Sequence, residues 1–463
     1  MTCGIRKMDD MAIATINPYT GKTEKTFPAF SDKGVDARIA QSTFAFNALK
    51  SVSLDDRAAL MRKAADLTEA RKNQLAELAT REMGKPLSQA IAEVEKCIWG
   101  CRHYADHTAH YLADDAVDLG DQRRAFRRYL PIGPVLAVMP WNFPFWQVYR
   151  FAAPTLMAGN TVLLKHASNV PQCALAMEAI FKDAGFPDGA FSTLLVGGDK
   201  VERILLDDRV AAATLTGSEP AGRAVASVCG ELIKPTVLEL GGSDAFIVMP
   251  SADLDSAVET AVQARTRNNG QSCIAGKRFI VHAEIYDDFR HRFAEALDAL
   301  IVGDPMDAAT EIGPLVSVAA ADELDDQIEA ALKSGASIVT GAKRGEGAFF
   351  HPGLIENISP DSASYYDEWF GPVAMLFKAD DMQDALRIAN DSPFGLGGAV
   401  FTQDTAEMEM AYSGLEAGAT FINSMTASDP RLPFGGIKRS GYGRELAAEG
   451  QRAFCNVKTI VVA

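Results

Sequence analysis

The sequence predicts an α/β protein made of a doubly wound parallel sheet, a second α/β unit and a small β arm. Three observations predict it. From Pro134 onward, short apolar runs alternate with segments of helical length and period, the pattern of strands wound by helices on both faces. After Gly241-Gly242 a second series of the same kind begins. The charged segment 114–130 and the apolar C-terminal run Lys458-Thr459-Ile460-Val461-Val462 interrupt that rhythm with strand-like character.

In chain order, the stretch to about Ser31 is punctuated by Asn-Pro and Gly-Lys and predicts a turn with short strands. From Asp55 to Met83, Leu60, Ala64, Leu67, Leu75 and Leu78 recur largely at helical spacing, and Gly84-Lys85-Pro86 supplies a stop. A further amphipathic helix is predicted from Leu87 to about Tyr111, with Cys97 and Cys101 on the apolar face of Ile91, Val94 and Ile98. In 114–130, four arginines surround Ala125 and Phe126. An exposed ribbon is expected there, forming with 451–463 an arm that pairs with another subunit, because an apolar strand edge invites pairing.

The strands expected in the first unit are Pro134 to Met139, Thr161 to Leu164, Phe191 to Val196, Ala211 to Leu215 and Thr236 to Leu240. In the second they are Ala245 to Met249, Phe279 to Val281, Val373 to Phe377, Ala399 to Thr402 and Thr420 to Ile422. The first unit then comprises 1–113 and 131–240, the second 241–439, with the active cleft between them at strand ends.

A chain of 463 residues exceeds the roughly 250 to 300 that one core sustains. Its net charge of -16 argues against nucleic acid or an anionic membrane as partner. Met1 to Met11 carries charges and no apolar core of signal length, and the run Pro131 to Trp146 is broken by prolines, so a soluble cytoplasmic protein is expected. The seven cysteines are scattered without zinc-site spacing, so no metal is expected and a reducing compartment fits.

Chemistry centres on Arg267-Asn-Asn-Gly-Gln-Ser-Cys-Ile-Ala-Gly276. Cys273 stands there among small and polar residues, between a helix and a strand, where backbone N–H groups can stabilise a thiolate. On this stretch alone, a buried thiol that merely packs is an equally open reading. Glu239 at a strand end and Asn142 in Pro-Trp-Asn-Phe-Pro complete an acyl-transfer set of nucleophile, base for water and oxyanion donor. Gly217-Ser218-Glu219-Pro220-Ala221-Gly222 opens a helix whose N-terminal amides suit a phosphate, although no Gly-x-Gly-x-x-Gly follows the first strand.

Pro140-Trp-Asn-Phe-Pro144, Leu215-Thr-Gly-Ser218, Leu238-Glu-Leu-Gly-Gly242, Gly270-Gln-Ser-Cys273, Glu368-Trp-Phe-Gly-Pro372 and Pro433-Phe-Gly-Gly436 together resemble the aldehyde dehydrogenase superfamily. The match runs from about Ile16 to Val462, and within the superfamily it is most similar to bacterial succinate-semialdehyde dehydrogenases. The resemblance implies that Cys273 attacks the aldehyde to form a thiohemiacetal, that Asn142 and the Cys273 N–H hold the oxyanion, that hydride passes to nicotinamide, and that Glu239 activates water against the thioester. It assigns Gly217 and Ser218 to the diphosphate, Lys165 to the adenosine ribose, Glu368 to the nicotinamide ribose, and Trp141, Leu240 and Phe370 to the nicotinamide end. His166, Ala167 and Ser168 complete the cofactor loop. Where many NAD-preferring relatives have glutamate, this chain has Ser168, so NADP is expected over NAD because no carboxylate repels a 2'-phosphate.

The resemblance also assigns Arg150, Arg267 and Ser428 to the distal carboxylate of the substrate; a homodimer or homotetramer is expected, with the apolar edge of the arm as the observation for an oligomer. Two departures stand out: Ala275 replaces the second cysteine of some relatives, removing a local redox switch, and Ser243 stands where most of the superfamily has lysine. Rival readings are a dehydrogenase for a five-carbon semialdehyde or a broader range of aldehydes, and a cysteine hydrolase. The hydrolase needs a histidine base beside Cys273, and none of the seven histidines lies in a motif for it.

Overall fold

The structure, a computed structural model, describes residues 13–463. The N-terminal segment read above for its charges, with Cys3, lies outside them. Two large sheets organise the chain. The first has six strands in the order Gly441–Tyr442, Thr236–Glu239, Ala212–Thr216, Pro134–Met139, Thr161–His166, Phe191–Thr193, parallel except for the first pairing. From its central strand Pro134–Met139 the chain winds to one side through Thr161–His166 and Phe191–Thr193. It then crosses to the other side at Ala212–Thr216. This reversal opens a crevice at the carboxyl ends of the two middle strands, where such sheets take ligands.

The second sheet has seven strands, ordered Ser337–Arg344, Phe350–Glu356, Val373–Ala379, Gly276–His282, Asp244–Val248, Gly398–Phe401, Thr420–Ile422. Only the edge pair Ser337–Arg344 and Phe350–Glu356 is antiparallel. Its centre is aromatic: the Phe246 and Phe401 rings stack at 4.7 Å, and Phe279 meets Phe293 at 4.8 Å. Asp115–Val117, Arg124–Pro131 and Cys455–Val462 form a separate three-stranded antiparallel sheet. Val457, Val461 and Val462 are exposed on it.

Two expectations need correcting. The helix predicted over Asp55 to Met83 is two helices, Leu54–Ala70 and Lys72–Met83, broken at Arg71 (φ −103°, ψ 9°). A one-residue break barely disturbs hydrophobic spacing, so periodicity does not register it. The hairpin Ser337–Arg344 with Phe350–Glu356 was not anticipated: its outer strand is largely exposed and carries a left-handed Gly341 (φ +53°), so it lacks the apolar alternation that marks a strand. Helix Leu87–Tyr111 matches its predicted span, with Cys97 and Cys101 fully buried.

Gly241 and Gly242 join the last strand of the first wound series, Thr236–Glu239, to Asp244–Val248 of the second sheet. Close approach fixes their identity. A Cβ on Gly241 would stand 2.5 Å from Glu368 Oε2, and one on Gly242 2.5 Å from the Cys273 carbonyl oxygen. Here the carboxyl ends of the first sheet face the amino end of Gly276–His282, and the loop carrying Cys273 lies between.

Candidate active site

Cys273 follows the helix Leu254–Thr266 and precedes the strand Gly276–His282. The chain turns between them through three consecutive left-handed residues, Asn268 (φ 59°), Asn269 (φ 56°) and Gly270 (φ 74°). Asparagine tolerates this conformation better than most residues, and Gly270 is obligatory because a Cβ would come within 2.3 Å of the Gly371 backbone. The turn is locked from several sides. Asn269 donates to the Gly84 and Pro314 carbonyls (3.0 and 2.9 Å) and accepts from Gly313 N–H (2.8 Å). Gln89 accepts from Asn268 N–H (2.6 Å). Lys277 Nζ, fully buried, donates to the carbonyls of Ser272 and Cys273 (2.7 and 2.8 Å) and to Glu368 Oε1 (3.1 Å).

Asn142 is held against this turn. Its Nδ2 donates to the Gln271 carbonyl (3.1 Å), while its own carbonyl accepts from Asn268 Nδ2 (2.8 Å). The rest of its loop is pinned from two further directions. Glu93 accepts from the N–H groups of Phe145 and Trp146 (2.8 and 3.0 Å), placing a carboxylate at the start of helix Trp146–Ala158, where the backbone dipoles favour it. Lys85 pairs with Glu93 in full burial and lies 4.2 Å from the Phe143 ring centroid. His166 is the other anchor: its Nε2 lies 2.9 Å from the Pro144 carbonyl oxygen, and its Nδ1 lies 3.0 Å from Ala167 N and 3.2 Å from the Met139 carbonyl oxygen. Burial pushes that imidazole down to about 4, keeping it neutral.

Two cavities meet at Cys273. One, of about 510 Å³, lies in the crevice of the first sheet, between Trp141, Asn142, Gly217, Ser218 and Leu240 on one side and Glu368 and Phe370 on the other. Trp141 and Phe370 meet edge to face at 5.8 Å, and Glu368 is fixed by Gly242 N–H (3.0 Å) and Lys277. The Ser218 side chain does not cap helix Glu219–Glu231, so the first N–H groups remain available to an anion. The second cavity, of about 220 Å³, is lined by Lys96, Trp146, Arg150, Arg267 and Ser428. Cys273 and Gln147 belong to both walls.

Not every expected residue reaches these cavities. Lys165, His166, Ala167 and Ser168 do not line the larger one; His166, Ala167 and Ser168 border a small pocket at the end of Phe191–Thr193. The His166 ring is engaged by the Pro144 and Met139 carbonyls and is not directed into the larger cavity. Lys165, largely buried, is pushed down by desolvation and partly restored by Asp199. Glu239 lines neither cavity. Its carboxylate is buried without a hydrogen bond among the described residues, and Gly435 lets it sit there, since a Cβ would fall 2.6 Å from Oε1. Burial, then the nearby Glu445, hold Glu239 well above the usual carboxylate range, against the pull of Arg150 and Arg444.

Arg150 pairs with Glu445 through Nε, and its Nη2 donates to Thr216 (3.3 Å). Only Nη1 is without a protein partner among the described residues. Burial raises the Cys273 thiol to about 12, opposed first by Lys277 and then by Arg150. Cys273 is therefore a neutral thiol at pH 7. Sequence reasoning missed Lys277, Lys96, Glu93 and Glu445. Only Lys96 and Glu93 left a signal: Gln89, Glu93 and Lys96 fall at helical spacing opposite the apolar stripe. Ser243, at the position where most of the superfamily has lysine, is buried with its hydroxyl unbonded among the described residues; the ammonium found in this region belongs to Lys277.

The model of the aldehyde dehydrogenase family matches residues 5–460. The chain is 55% identical over 455 residues to a succinate-semialdehyde dehydrogenase [NADP(+)] of Mycobacterium avium, covering 97% of this chain and 96% of the relative. It is also 55% identical over 457 residues to the corresponding enzyme of Mycobacterium ulcerans, covering 98% and 100%. Among solved structures, succinic semialdehyde dehydrogenase from Streptococcus pyogenes in complex with NADP+ superposes with a TM-score of 0.94 at 36% identity, covering 96% of this chain and 99% of that one. The succinate-semialdehyde dehydrogenase of Burkholderia pseudomallei gives 0.94 at 33%, covering 98% and 95%. With the motif residues gathered around one thiol and nearly the whole length matched, the chain belongs to the aldehyde dehydrogenase family.

Proposed function

We propose that the protein oxidises succinate semialdehyde to succinate with NADP, and less readily with NAD, through a covalent intermediate on Cys273. The observation that carries this reading is that the larger crevice and the cationic cavity meet at that thiol. The crevice fits a dinucleotide: it sits at the switch point of a doubly wound sheet, with uncapped helix amides at one end and an aromatic pair at the other. Gly217, Ser218, Trp141, Leu240, Glu368 and Phe370 would hold it, with Lys165 and Ser168 towards the adenosine end. When bound, a nicotinamide dinucleotide supplies the hydride acceptor.

The chain's own groups do the rest. Cys273 Sγ bonds to the aldehyde carbon as its proton passes to Glu239 and on to solvent, and negative charge develops on the carbonyl oxygen. Asn142 Nδ2 spends one N–H on the Gln271 carbonyl and has a second for that oxygen, beside the Cys273 N–H. Glu239 then takes a proton from the water that hydrolyses the thioester. Its raised affinity for protons suits a general base, and to act it must turn from Gly435 towards Cys273. Arg267, with no ion pair among the described residues, and Ser428 receive the far carboxylate, with Arg150 behind them.

The exposed valines of the three-stranded sheet support a homo-oligomer formed through that arm. Six free cysteines among the described residues fit the reducing cytoplasm, and no helix among those residues is long and apolar enough to cross a membrane. The test is a matrix of NADP and NAD against succinic, glutaric and neutral aldehydes, followed by absorbance of the reduced nicotinamide. Turnover is expected to be highest for NADP with succinic semialdehyde and lost in Cys273→Ala with cofactor binding retained. Ester or thioester hydrolysis without dinucleotide would point to a hydrolase instead.

A further inference from the structure

We infer that Lys96 is a specificity-determining residue of the smaller cavity: its ammonium, with the Ser428 hydroxyl that it orients, receives the distal carboxylate of the substrate beside Arg267. This rests on the reading of that cavity as the seat of a carboxylated aldehyde.

The argument starts from the Ser428 oxygen. It accepts from Lys96 Nζ at 2.8 Å and from Trp146 Nε1 at 3.0 Å. A serine hydroxyl has two acceptor sites and one proton to give. With both acceptor sites filled, Ser428 faces the cavity purely as a donor, and its proton has no acceptor among the described residues. A nearly buried O–H in that state is satisfied by an acceptor from outside.

Lys96 is in a matching condition. Its Nζ stands 4.8 Å from the Trp146 ring centroid and makes no ion pair among the described residues. Glu93, three residues away on the same helical face, is already bound to Lys85 and to two backbone N–H groups. Asp429 is held by Arg431 at 2.6 Å. The other charges lining the cavity near Lys96 are Arg150, committed mainly to Glu445, and Arg267. Burial, then Arg267 and Arg150, push the Lys96 ammonium down to about 8. Besides the mutually paired Lys85 and Glu93, three cations, Lys96, Arg150 and Arg267, thus line this cavity, and among the described residues only Arg150 has a carboxylate partner. An incoming carboxylate relieves that crowding, and a neutral aldehyde cannot.

The test compares full-length wild type with Lys96→Met, which keeps a comparable stem without the charge, and Lys96→Arg, each assayed with NADP on succinic semialdehyde and on butanal. The ratio of kcat/KM for the acid over the neutral aldehyde is expected to fall at least about tenfold in Lys96→Met, chiefly through KM, and to be largely retained in Lys96→Arg. An unchanged ratio in Lys96→Met, with a marked preference for the acid in wild type, overturns the role of Lys96 alone. A wild-type ratio near one overturns both this role and the carboxylate seat. Should the variant fold poorly, wild type answers directly: succinate is expected to slow cyanate carbamylation of Lys96, read by peptide mass spectrometry. Equal carbamylation with and without succinate overturns the inference.

Discussion

Lys277 and Glu368 form an ion pair at 3.1 Å, and the same ammonium donates to the Cys273 carbonyl at 2.8 Å. One buried cation therefore ties the Cys273 turn to a carboxylate in the wall of the larger crevice. Lys277 is also the strongest influence holding the Cys273 thiol down against burial. Removing it as Lys277→Met is expected to do two things at once: raise the KM for NADP and slow alkylation of Cys273 by iodoacetamide at pH 8 about tenfold, the change that one unit of thiol pKa produces. Second-order alkylation rates and cofactor titrations check this. A variant that melts normally and alkylates at the wild-type rate would show that Lys277 only fills space.

The pH dependence of Cys273 follows from its burial. A thiol raised to about 12 is neutral at pH 7, and its thiolate fraction grows about tenfold per unit until the pH reaches that value. In the free enzyme, alkylation of Cys273 is therefore expected to keep rising past pH 9. A plateau below pH 9 would mean that the resting thiol is activated by a charge closer than Lys277.

Arg267 lines the smaller cavity and remains open to solvent. Arg267→Ala is expected to cost about 2 kcal/mol in kcat/KM for succinic semialdehyde, the low end for truncating a charged hydrogen-bonding partner because solvent already screens it. Butanal should lose much less. Equal losses on both aldehydes would identify a folding defect in place of a carboxylate contact.

Ser168 borders the small pocket beyond His166, on the loop that follows Lys165. Ser168→Glu introduces a carboxylate where a 2'-phosphate is expected, so the ratio of kcat/KM for NADP over NAD should fall by about tenfold or more. Steady-state kinetics with each cofactor measure it. A constant ratio would place the 2'-phosphate elsewhere.

Much of this molecule was legible in one dimension. The apolar runs locate the parallel strands because burial on both faces leaves a continuous hydrophobic signature, and the motifs name Cys273, Asn142 and Glu239. Several glycines in those motifs have a reason visible only in three dimensions: Gly241 and Gly242 make room for Glu368 and the Cys273 carbonyl, Gly435 for Glu239. The break at Arg71 escaped detection because it barely disturbs hydrophobic spacing, and the outer hairpin because its exposed outer strand carries no apolar alternation to detect.

What the sequence by itself determined is the order of the elements and the family, together with the residues proposed to react. What only the tertiary structure decided is which charge meets which. Lys96 finds Ser428, Lys277 finds Glu368 and Arg150 finds Glu445 across 332, 91 and 295 residues of chain. No local pattern encodes such pairings, and their effect on a thiol, a carboxylate or an ammonium depends on burial that exists only once both sheets have packed.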